Sequence, residues 1–260
     1  MSKTPLVDLC GALRRTVLLI VLAAGAACRA DAADILVLSG NGARGAVRAL
    51  TEEFERTTGH KVTLHFEVNA AIKRKIDAGA EFDAVVLNPP VIEALEASGK
   101  IAPGTRADIG RAGLGVGIRT GAPRPDISSV AAFRSTLLAA NAVAYPGEGA
   151  SGIYFAGLVD RLGITEQMKA KLKPMPAEDT VEVVARGEAD MVVVVASRIA
   201  EVPGVELVGA IPAELQTRIG FAAAVGSAPR EPAAARDFVR FVAAPDRAAL
   251  LKRLGVEPAH

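Results

Sequence analysis

Cysteine is nearly absent from this chain. Its two, Cys10 and Cys28, both fall in the first thirty residues, so the remainder offers no disulfide, no thiolate metal ligand and no thiol nucleophile, and its stability has to come from a packed core. Tryptophan is missing and aromatics make up 4% of the residues, while 30 basic side chains balance 29 acidic ones for a formal net charge of +1. Such a surface lacks both the base-stacking rings and the positive field that nucleic acid calls for, so no nucleic-acid partner is expected. Histidine is sparse as well, and His60 and His65 stand in no metal-binding spacing, so no metal site is expected. There is no Gly-x-Ser-x-Gly elbow, and Ser39 and Ser151 have no His/Asp pairing pattern, which removes support for nucleophilic catalysis.

What is present starts with a leader. Arg14 and Arg15 precede the apolar run "TVLLIVLAAGAA", and "ADA" (30 to 32) follows with small residues at cleavage spacing. This pattern predicts a secretory signal peptide over 1–32, a mature chain beginning near Ala33 and a periplasmic location. A lipid anchor at Cys28 is the alternative, but Gly25 stands where such signals carry a large aliphatic residue, so the soluble form is preferred. No later run is long and apolar enough to span a bilayer.

Beyond the leader, strand-like and helix-like patterns alternate. "DILVL" (34 to 38), "KVTLHFEV" (61 to 68) and "FDAVVL" (82 to 87) read as strands, each followed by an amphipathic helical stretch: 46–59, 71–79 and 90–99. Three such units in a row predict an α/β layer with a parallel sheet. The glycine-bearing "GLGVGIRTG" (113 to 121) breaks the rhythm and suits a strand crossing between lobes. A second set follows: strands at 141–146, 191–197 and 205–211, with helices at 152–163 and 178–190. "RIGFAAAVG" (218 to 226) then reads as a return crossing, and 232–256 as two closing helices. The architecture predicted is α/β with two lobes, lobe 1 over 33–113 and 219–260 and lobe 2 over 114–218. The ligand is expected where strand C-termini face the cleft.

"VLSGNGARGAV" (37 to 47) contains G-x-G-x-x-G at Gly40, Gly42 and Gly45, between a strand and a helix, and Glu67 lies about where a dinucleotide-binding unit places its ribose carboxylate. That makes an exported oxidoreductase a third hypothesis. The same turn can also serve as an amide cradle for a small anion. Beside it, Arg44 is placed to grip a carboxylate through two parallel hydrogen bonds, or is a solvated helix-start arginine. Asn69 and Asn88 follow strands and would face the same cleft, although an Asn before Pro also serves as a turn former.

The order of elements resembles the periplasmic molybdate-binding proteins and the wider type II solute-binding proteins of ABC transporters. The resemblance runs through "FERTTGHKV", "IKRKIDAGAEFDAVVL", "YPGEGASGIYFAGLVDRLGI", "PAED", "RGEADMVVVVAS" and the closing "AAARDFVRFVAAPDRAALLKRLGV". It implies a type II periplasmic-binding fold with two crossing strands, a small anionic ligand, a permease partner, a monomer and no cofactor. With the readings above, it gives a ligand set at Asn41, Gly42, Ala43, Arg44, Asn69, Ala70, Asn88, Ser151, Gly152, Tyr154, Asp179, Thr180 and Val195. Oxyanion-binding members carry hydroxyl side chains where this chain has Gly42, Asn69 and Val195. With those donors gone, an organic acid is expected in preference to a bare metal oxyanion. Some proteins resembling this group are aconitate isomerases, and on that alternative Glu67, Glu148, Tyr154 and Asp179 are the acid/base candidates.

Overall fold

The computed structural model describes residues 32–259. The expected leader, with Cys10 and Cys28, lies outside the described residues. Strand β1 (Asp34–Gly40) is followed by a 3-10 turn at Asn41–Ala43, helix α1 (Arg44–Thr58), β2 (Lys61–Glu67), α2 (Asn69–Asp77), β3 (Ala84–Leu87), α3 (Pro89–Ala97) and the long β4 (Ala107–Arg119). Next come α4 (Val130–Ala139), β5 (Val143–Pro146), α5 (Ala150–Arg161), α6 (Thr165–Met168), β6 (Leu172–Met175), α7 (Glu182–Ala185), β7 (Met191–Val195) and α8 (Ala196–Ile199). The chain closes with β8 (Val205–Ala210), β9 (Arg218–Val225), α9 (Pro232–Val242), α10 (Ala248–Arg253) and β10 (Glu257–Pro258).

The strands form one curled sheet in the order β2-β1-β3-β9-β4-β7-β5-β6, with β8 and β10 also paired to β4. β1 runs parallel to β2 and β3, and β5 parallel to β6 and β7, as expected where helices supply the crossovers. β4 and β9 run against their neighbours and join the two parallel sets. Ala107 to Gly113 of β4 pair with β9, and Leu114 to Ile118 pair with β7.

Period-two alternation in the strands sorts side chains onto two faces. Ile35 and Val37 of β1, Val86 of β3, Val192 and Val194 of β7 and Phe221 of β9 share one core with α1 and α9. Leu38, Val85 and Leu87 face the other way, onto α2 and α3. Val193 and Met191 do the same in the second set, meeting Phe133, Phe155 and Leu158. Phe54 anchors the shared core, edge-on to Phe238 and Phe241 and stacked on His60.

Termini and joints follow local chemistry. α1 stops at Gly59, whose φ of 79° is left-handed and whose N–H returns to the Glu55 carbonyl. Asp83 is fully buried, and its carboxylate accepts the backbone N–H groups of Leu36, Arg230 and Glu231, fastening the start of α9 to the sheet. The reading of 178–190 as one helix is corrected: only Glu182–Ala185 is helical, because residues on either side form turns. Helix α4, capped by the Ser129 hydroxyl on the Ala132 N–H, and the edge strand β6 are additions to the elements read from sequence.

Candidate functional site

The C-terminal ends of β1, β3, β5 and β7 converge on one chamber. Its walls are Gly40, Asn41 and Gly42 after β1, Asn69 and Asn88 after β2 and β3, Pro146 to Ser151 leading into α5, and Val194, Val195 and Arg198 around the start of α8. Ile219 and Phe221 of β9 close the apolar side. The cavity measures about 50 Å³, room for a few waters or one carboxylate-sized group. Beside it lies an outer chamber of about 690 Å³ lined by Arg44, Phe66, Glu67, Pro174, Met175 and Glu178, among others. Asn41, Val68, Glu148 and Ala177 border both.

The three glycines of the fingerprint are explained by what crowds them. A β-carbon on Gly40 would stand 2.9 Å from the Asn69 amide, on Gly42 3.0 Å from the Phe221 ring, and on Gly45 2.6 Å from a Glu201 carboxylate oxygen. All three positions are filled by the protein's own side chains. Gly45 N–H, which a pyrophosphate cradle would leave free, donates to Glu201 Oε1 at 2.8 Å. Glu67 does not wait for a ribose either; it pairs with Lys75 and borders the outer chamber.

Of the residues expected from sequence, Asn41, Gly42, Asn69, Asn88, Ser151 and Val195 meet at the inner chamber, and Arg44 lines the outer one. The two asparagines are bound to each other: Asn69 Nδ2 donates to Asn88 Oδ1 at 2.8 Å, the Asn88 backbone N–H donates to Asn69 Oδ1, and Asn88 Nδ2 donates to the Gly220 carbonyl. They brace the chamber, and each keeps one amide N–H that these bonds do not use.

The others lie outside both chambers, each for a local reason. Ala43 is buried in the core and Ala70 faces solvent. Gly152 packs so tightly that a β-carbon would sit 1.7 Å from the Pro146 carbonyl oxygen. Tyr154 donates its hydroxyl to the Leu215 carbonyl at 2.8 Å and stacks under Arg161. Asp179 accepts two hydrogen bonds from Arg186, which hold its carboxyl below the usual range. Thr180 donates to the Pro176 carbonyl.

Arg198 was not singled out by sequence reading. Its side chain is 5% exposed and lines the inner chamber, with Nη1 2.6 Å from Glu201 Oε2 and Nη2 3.2 Å from Glu182 Oε1. A guanidinium has five N–H donors, so donors beyond those two bonds remain for an occupant. Arg44 stands over the Phe66 ring at 5.1 Å and donates to Asn41 Oδ1 at 2.7 Å. Burial, then the positive charges of Arg198 and Arg48, push its pKa below the usual arginine value, with Glu201 and Glu182 acting the other way. An anion in the cleft would relieve that repulsion.

A family profile described as bacterial extracellular solute-binding protein matches residues 35–257. The chain belongs to that family. It is 33% identical over 230 residues to an aconitate isomerase from a Pseudomonas species, covering 86% of this chain and 87% of the relative. The periplasmic molybdate-binding protein of Azotobacter vinelandii shares the fold with a TM-score of 0.74 at 19% identity, over 87% of this chain and 100% of that one. The sulfate-binding protein SubI of Mycobacterium tuberculosis does so with a TM-score of 0.68 at 18% identity, over 87% of each chain. The α/β periplasmic-binding-protein fold expected from the sequence is thus the fold observed, and no described helix is long and apolar enough to cross a membrane.

Proposed function

We propose that the exported chain binds a small organic acid in this cleft, closing two lobes (33–113 with 219–260, and 114–218) around it as a monomer, and delivers it to an ABC-type permease. The observation that carries this reading is Arg198, whose buried guanidinium is the one cationic group lining the inner chamber among the described residues. A planar guanidinium with spare donors suits a carboxylate. Gly42 and Val195 meanwhile supply no hydroxyl for a tetrahedral oxyanion. The switch of β4 from β9 to β7 at Gly113 and Leu114 supports the lobe boundary. The test is calorimetry across oxyanions and mono-, di- and tricarboxylates. One-site binding of an organic acid is expected, and silence across the whole panel would sink the reading.

The aconitate isomerase relative favours a second reading, interconversion of cis- and trans-aconitate. That allylic shift breaks a methylene C–H bond, passes the proton to a base, spreads the electron pair over three carbons and returns a proton at the far carbon. Glu148 is the one carboxylate bordering both chambers among the described residues. It sits between Gly147 and Gly149, the latter with a φ of 100°, while Tyr154 and Glu67 are committed elsewhere. A proton NMR time course with cis-aconitate should show the trans isomer growing with the native chain and not with Glu148→Gln. An unchanged spectrum with the native chain rejects the activity and leaves binding.

A further inference from the structure

Arg198 reaches the chamber from a very short helix, and a buried guanidinium is useful there only if something fixes its fork. Glu201 does this while also touching the turn after β1. Its Oε2 accepts from Arg198 Nη1 at 2.6 Å, and its Oε1 accepts the Gly45 N–H at 2.8 Å. Gly45 belongs to the first turn of α1, directly after the Gly40 to Gly42 wall. One carboxylate therefore spans 156 residues of sequence to join the turn after β1 to the cation after β7. Next to it, the buried Ser197 hydroxyl donates to the Gly42 carbonyl at 3.1 Å, a second tie between the same two walls. Glu182 holds the other Nη of Arg198.

We propose that Glu201 is a positioning residue for the anion site, setting the Arg198 guanidinium and the Gly40–Gly42 turn in one fixed register. The proposal rests on the anion-binding reading above but assigns a role to a residue that touches no ligand. It accounts for Gly45 independently of any nucleotide, since a β-carbon there would collide with the bridging carboxylate. It also gives Arg198 a fixed direction, because two carboxylates grip its two terminal nitrogens.

A double-mutant cycle tests the role, with cis-aconitate as the calorimetric probe and the exported chain as the protein. Glu201→Gln keeps an oxygen for one partner and loses the other. It should weaken binding roughly tenfold, the size of one charge-assisted hydrogen bond. Arg198→Lys keeps the charge and removes the fork. Because Glu201 acts in part through Arg198, adding Glu201→Gln to Arg198→Lys should cost less than it costs the native chain. Effects that multiply, or a Glu201→Gln chain that binds as the native one does, would overturn the proposal.

A ligand-free measurement reads the bridge itself. Hydrogen exchange at the Gly45 amide should speed at least roughly tenfold in Glu201→Ala, and unchanged exchange would also overturn it. A native chain that binds no anion in the wider panel fails at the anion reading, whether or not Gly45 responds. A chain that binds but shows no coupling fails at Glu201 alone.

Discussion

At Gly45 a missing β-carbon makes room for a carboxylate of this same chain, 2.6 Å from where the carbon would be. Gly45→Ala should therefore destabilise the chain by about 1–3 kcal/mol, the usual cost of overpacking. Gly45→Ala combined with Glu201→Ala should recover part of that loss, as chemical denaturation would show; a cradle for phosphate would predict no such recovery. The glycine spacing was legible in the sequence, but its reason was not, because Glu201 lies far along the chain. Arg198 was missed on the same ground. In "VVVVASRIA" it simply follows the stretch read as a strand, and only the fold brings Glu182 against it and places it at the chamber. The pairing with Glu201 three residues on was the one local signal available. Conversely, Tyr154 stood in the expected motif, yet its hydroxyl is taken by the Leu215 carbonyl, 61 residues away.

Elements were more readable than side-chain partners. β1 to α3 announced themselves by short apolar or alternating runs, helical spacing and glycine stops such as Gly59, whereas α4 buries only Phe133 and Leu137 and shows weak patterning. β6 carries Pro174 and lies at the sheet edge, where strand propensity says little. Helix α5 sets the position of Ser151 and Glu148, and its first turn depends on Gly152. Gly152→Ala places a carbon 1.7 Å from the Pro146 carbonyl oxygen, which backbone cannot absorb without moving the turn. That variant should lose anion binding and lower the unfolding midpoint. Binding with native affinity would show that the Pro146 to Ser151 wall is not part of the site.

At the scale of the molecule, the chain's end is tied to the crossing strand. Glu257 of β10 accepts two hydrogen bonds from Arg111 of β4 and one from Arg218 of β9, and those three hold its pKa down to about 2, below its ordinary 4.5. A carboxyl depressed on folding stabilises the native state fully above pH 4.5, and that contribution fades as the pH falls towards 2. The pair is solvent-exposed, so the effect is modest. Glu257→Gln should be less stable than the native chain near neutrality and converge with it in acid. A gap that persists unchanged to pH 2 would remove the linkage.

The account as a whole turns on a carboxylate meeting Arg198 inside the cleft. The direct test is a calorimetric titration of cis-aconitate and its carboxylic relatives into the native chain and into Arg198→Lys. The account predicts one site per chain with the native residue and at least roughly tenfold weaker binding with lysine, which keeps the charge but not the planar fork. Equal affinity for the two chains, or no binding by either, would contradict it.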